Sequence, residues 1–371
     1  MKTNNKHMSK KIFLFIDSLG PGGAQRQFVG LACFLKQKNY EVKAASYYDQ
    51  PFYLPQLKDA NIPFECFQVN SKLSIPKLVK SIKSFNADVL ISFQTDPNSL
   101  ACVAAKLCGV KLIVSERNTH QSVSLKDKII FNLYRLADYV VPNSYSEAKF
   151  IKATFPFLNK KTQPITNFVD LTKFHLSENK TVHERKVIMT AASIKESKNT
   201  KKYLEACIQA LNKGCDADIV WYGVNDRATE VPEYAKYTDE CLNMVEQSGL
   251  SDHIRLLRKR QDIEKAYREA DVFCLPSHFE GTPNVICEAM ASGLPIMASN
   301  VCDNPIFVQP KRNGWLFNQV DVDDMVKSLL EVSRMDSDML ATYGKESRKI
   351  VEEKCSEDIF VDKYIKLIES L

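Results

Sequence analysis

Short apolar runs alternate with amphipathic stretches along most of the chain, the pattern that βαβ units and parallel sheets leave in a sequence. Residues 11–17 form the first such run, and a Gly/Pro loop at 18–23 follows it. Residues 24–38 then place Phe28, Leu31, Ala32 and Leu35 on one helical face. Further strands are predicted at 41–46, 89–93, 111–115 and 139–142, with 162–166 as a weaker candidate. The run 167–186 mixes polar residues with isolated aromatics and reads as a linker. The pattern restarts at 186–191, continues through 218–222, 253–257, 271–275 and 295–298, and ends in helices. At 371 residues the chain is too long for one ordinary α/β core. The expected fold is therefore α/β, with two Rossmann-like β/α/β domains and a cleft between them. Residues 1–170 form the first domain and 171–352 the second. Residues 353–371 form a carboxyl-terminal helix, and a return to the first domain is one arrangement open to it. In such sheets ligands bind beyond the carboxyl ends of the strands, so the loops at 18–23 and 277–283 are where chemistry is sought.

Composition changes this picture little, since 44% hydrophobic and 26% charged residues exclude disordered and collagen-like classes. Charge changes it more. The net +5 conceals 24 Lys and Arg against 12 Asp and Glu up to His175, a balance of +12, whereas the remainder carries 26 against 33, or −7. So basic a first half attracts polyanions such as nucleic acid, anionic lipid headgroups or a phosphorylated acceptor, although a merely soluble basic surface explains it equally well. Residues 76–85 add a helix whose Leu78, Val79, Ile82 and Phe85 share a face and whose Lys77, Lys80 and Lys83 lie elsewhere; it either packs on the first sheet or rests on a membrane. None of the eleven cysteines forms a Cys-x-x-Cys pair, which points to reduced core residues of a cytoplasmic protein. The amino-terminal apolar run, 12–16, ends at Asp17 and is too short for a signal core or a membrane span.

The sharpest local signal lies at 277–295. A strand ends at Pro276, a loop carries Glu280 and Gly281, and Thr282-Pro283 reads as a helix cap followed by proline in the first turn. Amides near Asn284 and Val285 then face outward with the positive end of the helix dipole, a site suited to a pyrophosphate. Glu288 falls in the second turn, where its carboxylate can accept hydrogen bonds from sugar hydroxyls, and Gly293-Leu294-Pro295 closes the helix. Upstream, Gly22 and Gly23 let the backbone approach a phosphate or sugar, but their spacing lacks the full Gly-x-Gly-x-x-Gly of dinucleotide binding. Asp216-Ala217-Asp218 and Asp321-Val322-Asp323 spell Asp-x-Asp, a spacing that can hold a divalent cation. The first precedes a buried strand and the second reads as a helix start, so neither is taken as a metal site.

Glu280 and Glu288 in Glu-x7-Glu spacing, the following Ala-Met-Ala-Ser-Gly-Leu-Pro, Gly22-Gly23-Ala24, and Asn167-Phe168-Val169-Asp170 with Phe174 together resemble the retaining GT-B glycosyltransferases of the GT4 group. That resemblance spans nearly the whole chain. It implies a GT-B fold, transfer from a nucleotide diphosphate sugar (a UDP-sugar is expected), no cofactor and no metal. Glu280 then lies beside the transferred sugar and Glu288 holds the ribose, while Gly281, Thr282, Pro283, Asn284, Val285, Gly22 and Gly23 form the donor site. Lys198 matches a family lysine that neutralises the pyrophosphate. Ser193 stands where the family has an arginine, a charge that Arg258, Lys259 or Arg260 could supply, and Cys302-Asp303 replaces the usual glycines. Residues 115–120 look like a run in transferases that build bacterial surface polysaccharides and lipid-linked oligosaccharides, such as those of O-antigen and capsule. It makes His120 a catalytic candidate and Arg117 and Asn118 acceptor-binding candidates, with a structural Glu116–Arg117 ion pair as the alternative. The implied partners are a nucleotide sugar, a glycan or lipid-linked acceptor and an anionic membrane surface met by the basic first domain at the inner face of the cell membrane; nucleic acid is not among them. A nucleotide-sugar epimerase or phosphorylase on the same fold, an NAD oxidoreductase and a noncatalytic sugar-nucleotide-binding protein are the rivals.

Overall fold

A computed structural model describes residues 10–70, 73–177, 183–225 and 231–371. Its strands are β1 (Lys11–Ile16), β2 (Glu41–Ser46), β3 (Phe64–Cys66), β4 (Val89–Phe93), β5 (Lys111–Glu116), β6 (Tyr139–Pro142), β7 (Lys186–Ala191), β8 (Ala217–Val224), β9 (Ile254–Arg258), β10 (Val272–Leu275), β11 (Ile296–Ser299) and β12 (Gly314–Phe317). They form two six-stranded parallel sheets, ordered β3-β2-β1-β4-β5-β6 and β12-β11-β10-β7-β8-β9. In each, the chain winds outward from its first strand and then returns to the other side, leaving a switch point between β1 and β4 and another between β7 and β10. The chain divides into two compact units, Met1–Phe168 with Glu357–Leu371, and Val169–Ser356. The last helix, Glu357–Glu369, thus belongs to the first unit, where it buries Phe360, Val361, Tyr364 and Ile368.

Strands buried on both faces explain the continuous apolar runs. In β1, Ile12, Leu14 and Ile16 enter one core while Phe13 and Phe15 enter the core on the opposite face. The same alternation divides β10, with Val272 and Cys274 on one side and Phe273 and Leu275 on the other. Helix Ser74–Phe85 buries Leu78 and Ile82 in the core shared with Phe13 and Leu90, so its apolar face is the packed one of the two readings. Residues 162–166 depart from expectation: Thr162 makes a single isolated bridge to Val140 and no strand follows. Two strands escape the pattern because one is a half-buried edge strand of three residues and the other opens on a glycine. The supposed linker begins anchored. Phe168 lies against Phe34 and Phe360, at 4.9 and 5.2 Å between ring centroids, and its backbone exchanges two 2.9 Å hydrogen bonds with the buried Gln27 amide. All eleven cysteines are free, seven of them buried. Among the described residues no helix is long and apolar enough to cross a membrane.

One glycine permits a close approach inside the second unit. Helix Ser337–Cys355 passes over the Gly293 carbonyl so closely that a Cβ on Gly344 would stand 2.0 Å from that oxygen. Gly344→Ala must push the helix off the loop that closes the carboxylate-bearing helix, and a loss of about 2 kcal/mol is expected. Thermal unfolding reads it; an unchanged Tm would mean the contact yields freely.

Candidate active site

In the second unit the loops leaving β7 and β10 run side by side because those strands are neighbours at the switch point. The His278 amide donates to the Ser197 carbonyl at 3.1 Å and ties the two loops together. After β7, Trp221 Nε1 donates to the Ala192 carbonyl at 2.6 Å, and Asn199, in the left-handed region at φ 57°, donates its side-chain amide to Gln319 O at 2.7 Å. After β10, the Ser299 hydroxyl donates to the carbonyl of the fully buried Ser277 at 2.7 Å. These bonds bring the Lys198 ammonium into an ion pair with the Glu280 carboxylate. Both side chains are mostly buried.

Helix Asn284–Ala291 begins one residue later than the sequence suggests. Pro283 occupies the cap position without a side-chain cap, and Thr282 is buried behind it. Ile286 N makes the first of the helix's backbone bonds, to Pro283 O at 3.0 Å, so the amides of Asn284 and Val285 precede the intrahelical ladder. Gly281, Asn284 and Val285 are half exposed. One turn in, the buried Glu288 accepts the Tyr267 hydroxyl at 3.2 Å. Ser193 is half-buried on the β7 loop. Lys195, which no motif marks, keeps company with Lys198, Lys259 and Glu280. Burial lowers its pKa first, and the two neighbouring lysines lower it further. The legible signal is a second lysine three positions before Lys198. Arg260 is committed elsewhere, to Asp262 at 3.0 and 3.1 Å and to Glu269 at 3.2 Å. Cys302 adopts φ 50°, the conformation a glycine would take at that position.

In the first unit the switch point carries a polar cavity of ≈ 280 Å³, whose lining includes Asp17, Tyr47, Thr95, Asn118, His120 and Lys126. Gly22 caps helix Gly23–Gln37, so both glycines stand at its amino end. Asp17 ends β1, and Gln25 Nε2 donates to its carboxylate at 3.1 Å. Gln94, just past β4, sits at φ 75° and ψ 154°, a region almost reserved for glycine. With its side-chain amide turned so that the nitrogen faces Asp17, it donates to both carboxylate oxygens, at 2.8 and 3.0 Å. Burial raises the Asp17 pKa against the hydrogen bonds from Ser18 and Gln25. Neither Asp17 nor Gln94 is a candidate on sequence grounds. Only the apolar run terminating at Asp17 hints at the first, and nothing hints at the second.

His120 lines this cavity with Nδ1 at 2.7 Å from Glu147 Oε1, its backbone amide donating to Glu147 Oε2 at 2.9 Å, and Nε2 3.8 Å from Asp127. The hydrogen bond to Glu147 raises its pKa most, with further help from the charges of Glu147, Glu116 and Asp127, and burial opposes. A raised folded-state pKa means the stabilisation is fully present below the ordinary value of 6.5 and is lost as pH rises through the folded one. Comparing wild type with His120→Gln by denaturant unfolding should therefore show a stability gap at pH 6 that narrows at alkaline pH; a constant gap would refute the pair.

Glu116 and Arg117 both turn to the interior. The Glu116 carboxylate is fully buried, accepting hydrogen bonds from Tyr134 and Thr95 hydroxyls (2.7 Å each) and from the amides of Arg117 and Asn118 (3.1 and 3.2 Å). Arg117 points inward, donating to Asn167 Oδ1 at 2.7 Å and to the Tyr364 hydroxyl at 3.0 Å, with its guanidinium 4.2 Å from the Phe93 ring centroid. Its side chain therefore anchors the returning helix, and its hydrogen bond to Glu116 runs through the backbone amide. Asn118 remains at the cavity. The two Asp-x-Asp sequences also have structural work. Asp216 and Asp218 pair with Arg185 at 2.7 and 3.1 Å, whereas Asp321 caps helix Val322–Ser333 through the Asp324 amide. A larger cavity of ≈ 380 Å³ borders Arg185 and Asp218 toward the strand beginnings, away from the Lys198–Glu280 pair.

Two family profiles match the chain, one described as Glycosyltransferase Family 4 over residues 21–173 and one as Glycosyl transferases group 1 over residues 185–334. The chain is 27% identical over 296 residues to the Escherichia coli UDP-Gal:alpha-D-GlcNAc-diphosphoundecaprenol alpha-1,3-galactosyltransferase, covering 75% of this chain and 74% of that one. It is 24% identical over 312 residues to the Campylobacter jejuni N-acetylgalactosamine-N,N'-diacetylbacillosaminyl-diphospho-undecaprenol 4-alpha-N-acetylgalactosaminyltransferase, covering 78% and 81%. Among solved structures, Anabaena Alr3699/HepE in complex with UDP superposes with a TM-score of 0.83 at 18% identity over 97% of this chain and 100% of that one, a likeness of fold.

Proposed function

Since the chain belongs to the GT4-type glycosyltransferases of the GT-B fold, we propose that it moves a sugar, with retention, from a UDP-sugar to a hydroxyl of a lipid-linked glycan in cell-envelope polysaccharide assembly. The observation that carries this reading is the Lys198–Glu280 pair at the second switch point, next to the opening of helix Asn284–Ala291. A cation, outward helix amides and a carboxylate together suit a sugar diphosphate, with positive groups for the phosphates and an acceptor for sugar hydroxyls. The alpha linkages and undecaprenol-linked acceptors in the names of both relatives support the finer terms, and the UDP-bound neighbour fits the donor.

In this reading the bond between the sugar's anomeric carbon and the diphosphate breaks as charge grows on the leaving oxygen. Lys198, Lys195 and the amides of Asn284 and Val285 stabilise that charge without a metal. Gly281, Thr282 and Pro283 let the backbone come close to the donor, Ser193 faces it without a charge of its own, and Glu288 holds the ribose. The acceptor hydroxyl forms the new bond on the same face and passes its proton to the departing diphosphate oxygen, leaving a glycoside and UDP. Glu280 orients the sugar. In the first-unit cavity Asp17 and Asn118 bind acceptor hydroxyls, and His120, oriented by Glu147, faces them there. Operation at the inner membrane face, as a peripheral protein, goes with such an acceptor.

Glu288→Ala is expected to weaken UDP binding by about tenfold with a lesser effect on kcat, and Glu280→Ala to lower kcat by about a hundredfold with UDP binding retained. Calorimetric titration of UDP and steady-state kinetics check them, and wild-type values in both variants would sink the assignment. Product analysis with donor alone separates an epimerase, which would convert it without any acceptor.

A further inference from the structure

The loop after β2 leaves an aromatic ring at the rim of the first-unit cavity. Tyr47 is buried and lines that cavity, whereas Tyr48 beside it is 48% exposed, its ring centroid 4.6 Å from that of Tyr47 in an edge-on arrangement. Tyr48 is nonetheless fixed. Its amide donates to the Asp17 carbonyl at 2.8 Å, its own carbonyl accepts the Ser46 hydroxyl at 3.1 Å, and the Tyr47 amide also donates to Asp17 O, at 3.2 Å. Gln68 holds the next residue, donating its side-chain amide to the Asp49 carboxylate at 3.0 Å. A half-exposed ring on so firmly held a backbone is a preorganised surface, since little freedom is lost when a ligand packs on it.

The neighbouring chemistry selects that ligand. On Asp17, Oδ1 is crowded, accepting the Ser18 amide at 2.5 Å, Gln25 at 3.1 Å and the turned Gln94 amide at 2.8 Å. Oδ2 takes only Gln94, at 3.0 Å, and so keeps acceptor capacity for a hydroxyl. All of these donors are uncharged. The lysine of the lining, Lys126, is paired with Asp96 at 2.9 Å, and His120 is engaged by Glu147. Inside a basic unit this cavity is therefore acidic, and a sugar bearing carboxylate or phosphate is repelled from it. A neutral hexose has both surfaces the place requires, hydroxyls for the carboxylate and ring C–H groups for an aromatic face. A bilayer is a poor occupant of the loop 47–53, which holds Asp49 and neither Lys nor Arg.

We propose that Tyr48 stacks the second sugar of an uncharged acceptor glycan whose first sugar lies in the cavity on Asp17, so that the acceptor is a neutral oligosaccharide rather than a single sugar. The proposal rests on the reading of this cavity as the acceptor site, and its test keeps the two apart. Full-length protein, without donor, is titrated by saturation-transfer NMR with uncharged methyl glycosides of one, two and three sugars taken from bacterial surface polysaccharides. Wild type should bind the two- and three-sugar members about tenfold more tightly than the single sugars. Tyr48→Ala should erase that preference with an unchanged Tm, and Tyr48→Phe, which keeps the ring, should retain it. In steady-state kinetics with a UDP-sugar, Tyr48→Ala should raise KM for the two-sugar acceptor about tenfold with little change in kcat. Equal wild-type binding of one and two sugars would overturn the proposal, as would a preference that survives Tyr48→Ala, or a variant that loses binding to phospholipid vesicles instead of glycans. If the transfer reading alone is wrong, glycan binding and its dependence on Tyr48 persist while no sugar is transferred.

Discussion

Lys198→Ala is expected to lower kcat by about two to three orders of magnitude while leaving the protein folded. The lysine is held by the loop after β7, and its ammonium is paired with Glu280, an arrangement that keeps a cation in place before any ligand arrives. Charge that is already oriented costs no reorganisation when a diphosphate departs, and in a partly water-excluded site it acts more strongly than in solution. Ser193 offers no second charge, which concentrates the burden on Lys198, although Lys195 nearby limits the loss toward the lower figure. Stability should change little, because the orphaned Glu280 keeps some access to water. Lys198→Arg should recover part of the rate, since the charge returns with different geometry. Steady-state kinetics with saturating donor decide it. A kcat within a factor of a few of wild type would remove Lys198 from the reaction.

Arg117→Ala should destabilise the first unit by about 3 kcal/mol, with little effect on donor affinity. Two hydrogen bonds from a charged donor are lost, to Asn167 and to Tyr364, together with the guanidinium's contact over Phe93. The Tyr364 hydroxyl would keep its contact with the Ser115 hydroxyl at 3.1 Å, but the helix Glu357–Glu369 would lose its charged link to β5. Denaturant unfolding measures the loss. The sequence-based assignment of Arg117 to the acceptor makes the opposite prediction, a raised acceptor KM at unchanged stability, so one variant decides between the anchor and the binding role.

The sequence is most informative where a local pattern coincides with a local structure. Strands read as strands because both faces of each sheet are covered, and a doubly covered strand must be apolar throughout. Glu280 and Glu288 are legible because strand, loop and helix follow one another within about twenty residues. Assignment fails where function depends on residues distant in the chain. Arg117 looks like a surface cation until Asn167 and Tyr364, 50 and 247 positions away, come into reach. Gln94 and Asp17 lie far apart in sequence and meet only because β4 pairs with β1. Apolar periodicity behaves likewise. Residues 76–85 suggest an amphipathic helix that either packs or lies on a membrane, and the core around Phe13 and Leu90 covers Leu78 and Ile82.

By itself, then, the amino-acid order determined two doubly wound α/β units and the strand, loop and helix that carry Glu280 and Glu288, because each follows from neighbours along the chain. Tertiary structure alone decided which cations are available, that Arg117 faces inward, that His120 bonds Glu147, and which apolar helix face remains open. Those outcomes depend on strand order, which brings remote segments together and sets the burial that determines whether a charge is paired, perturbed or free.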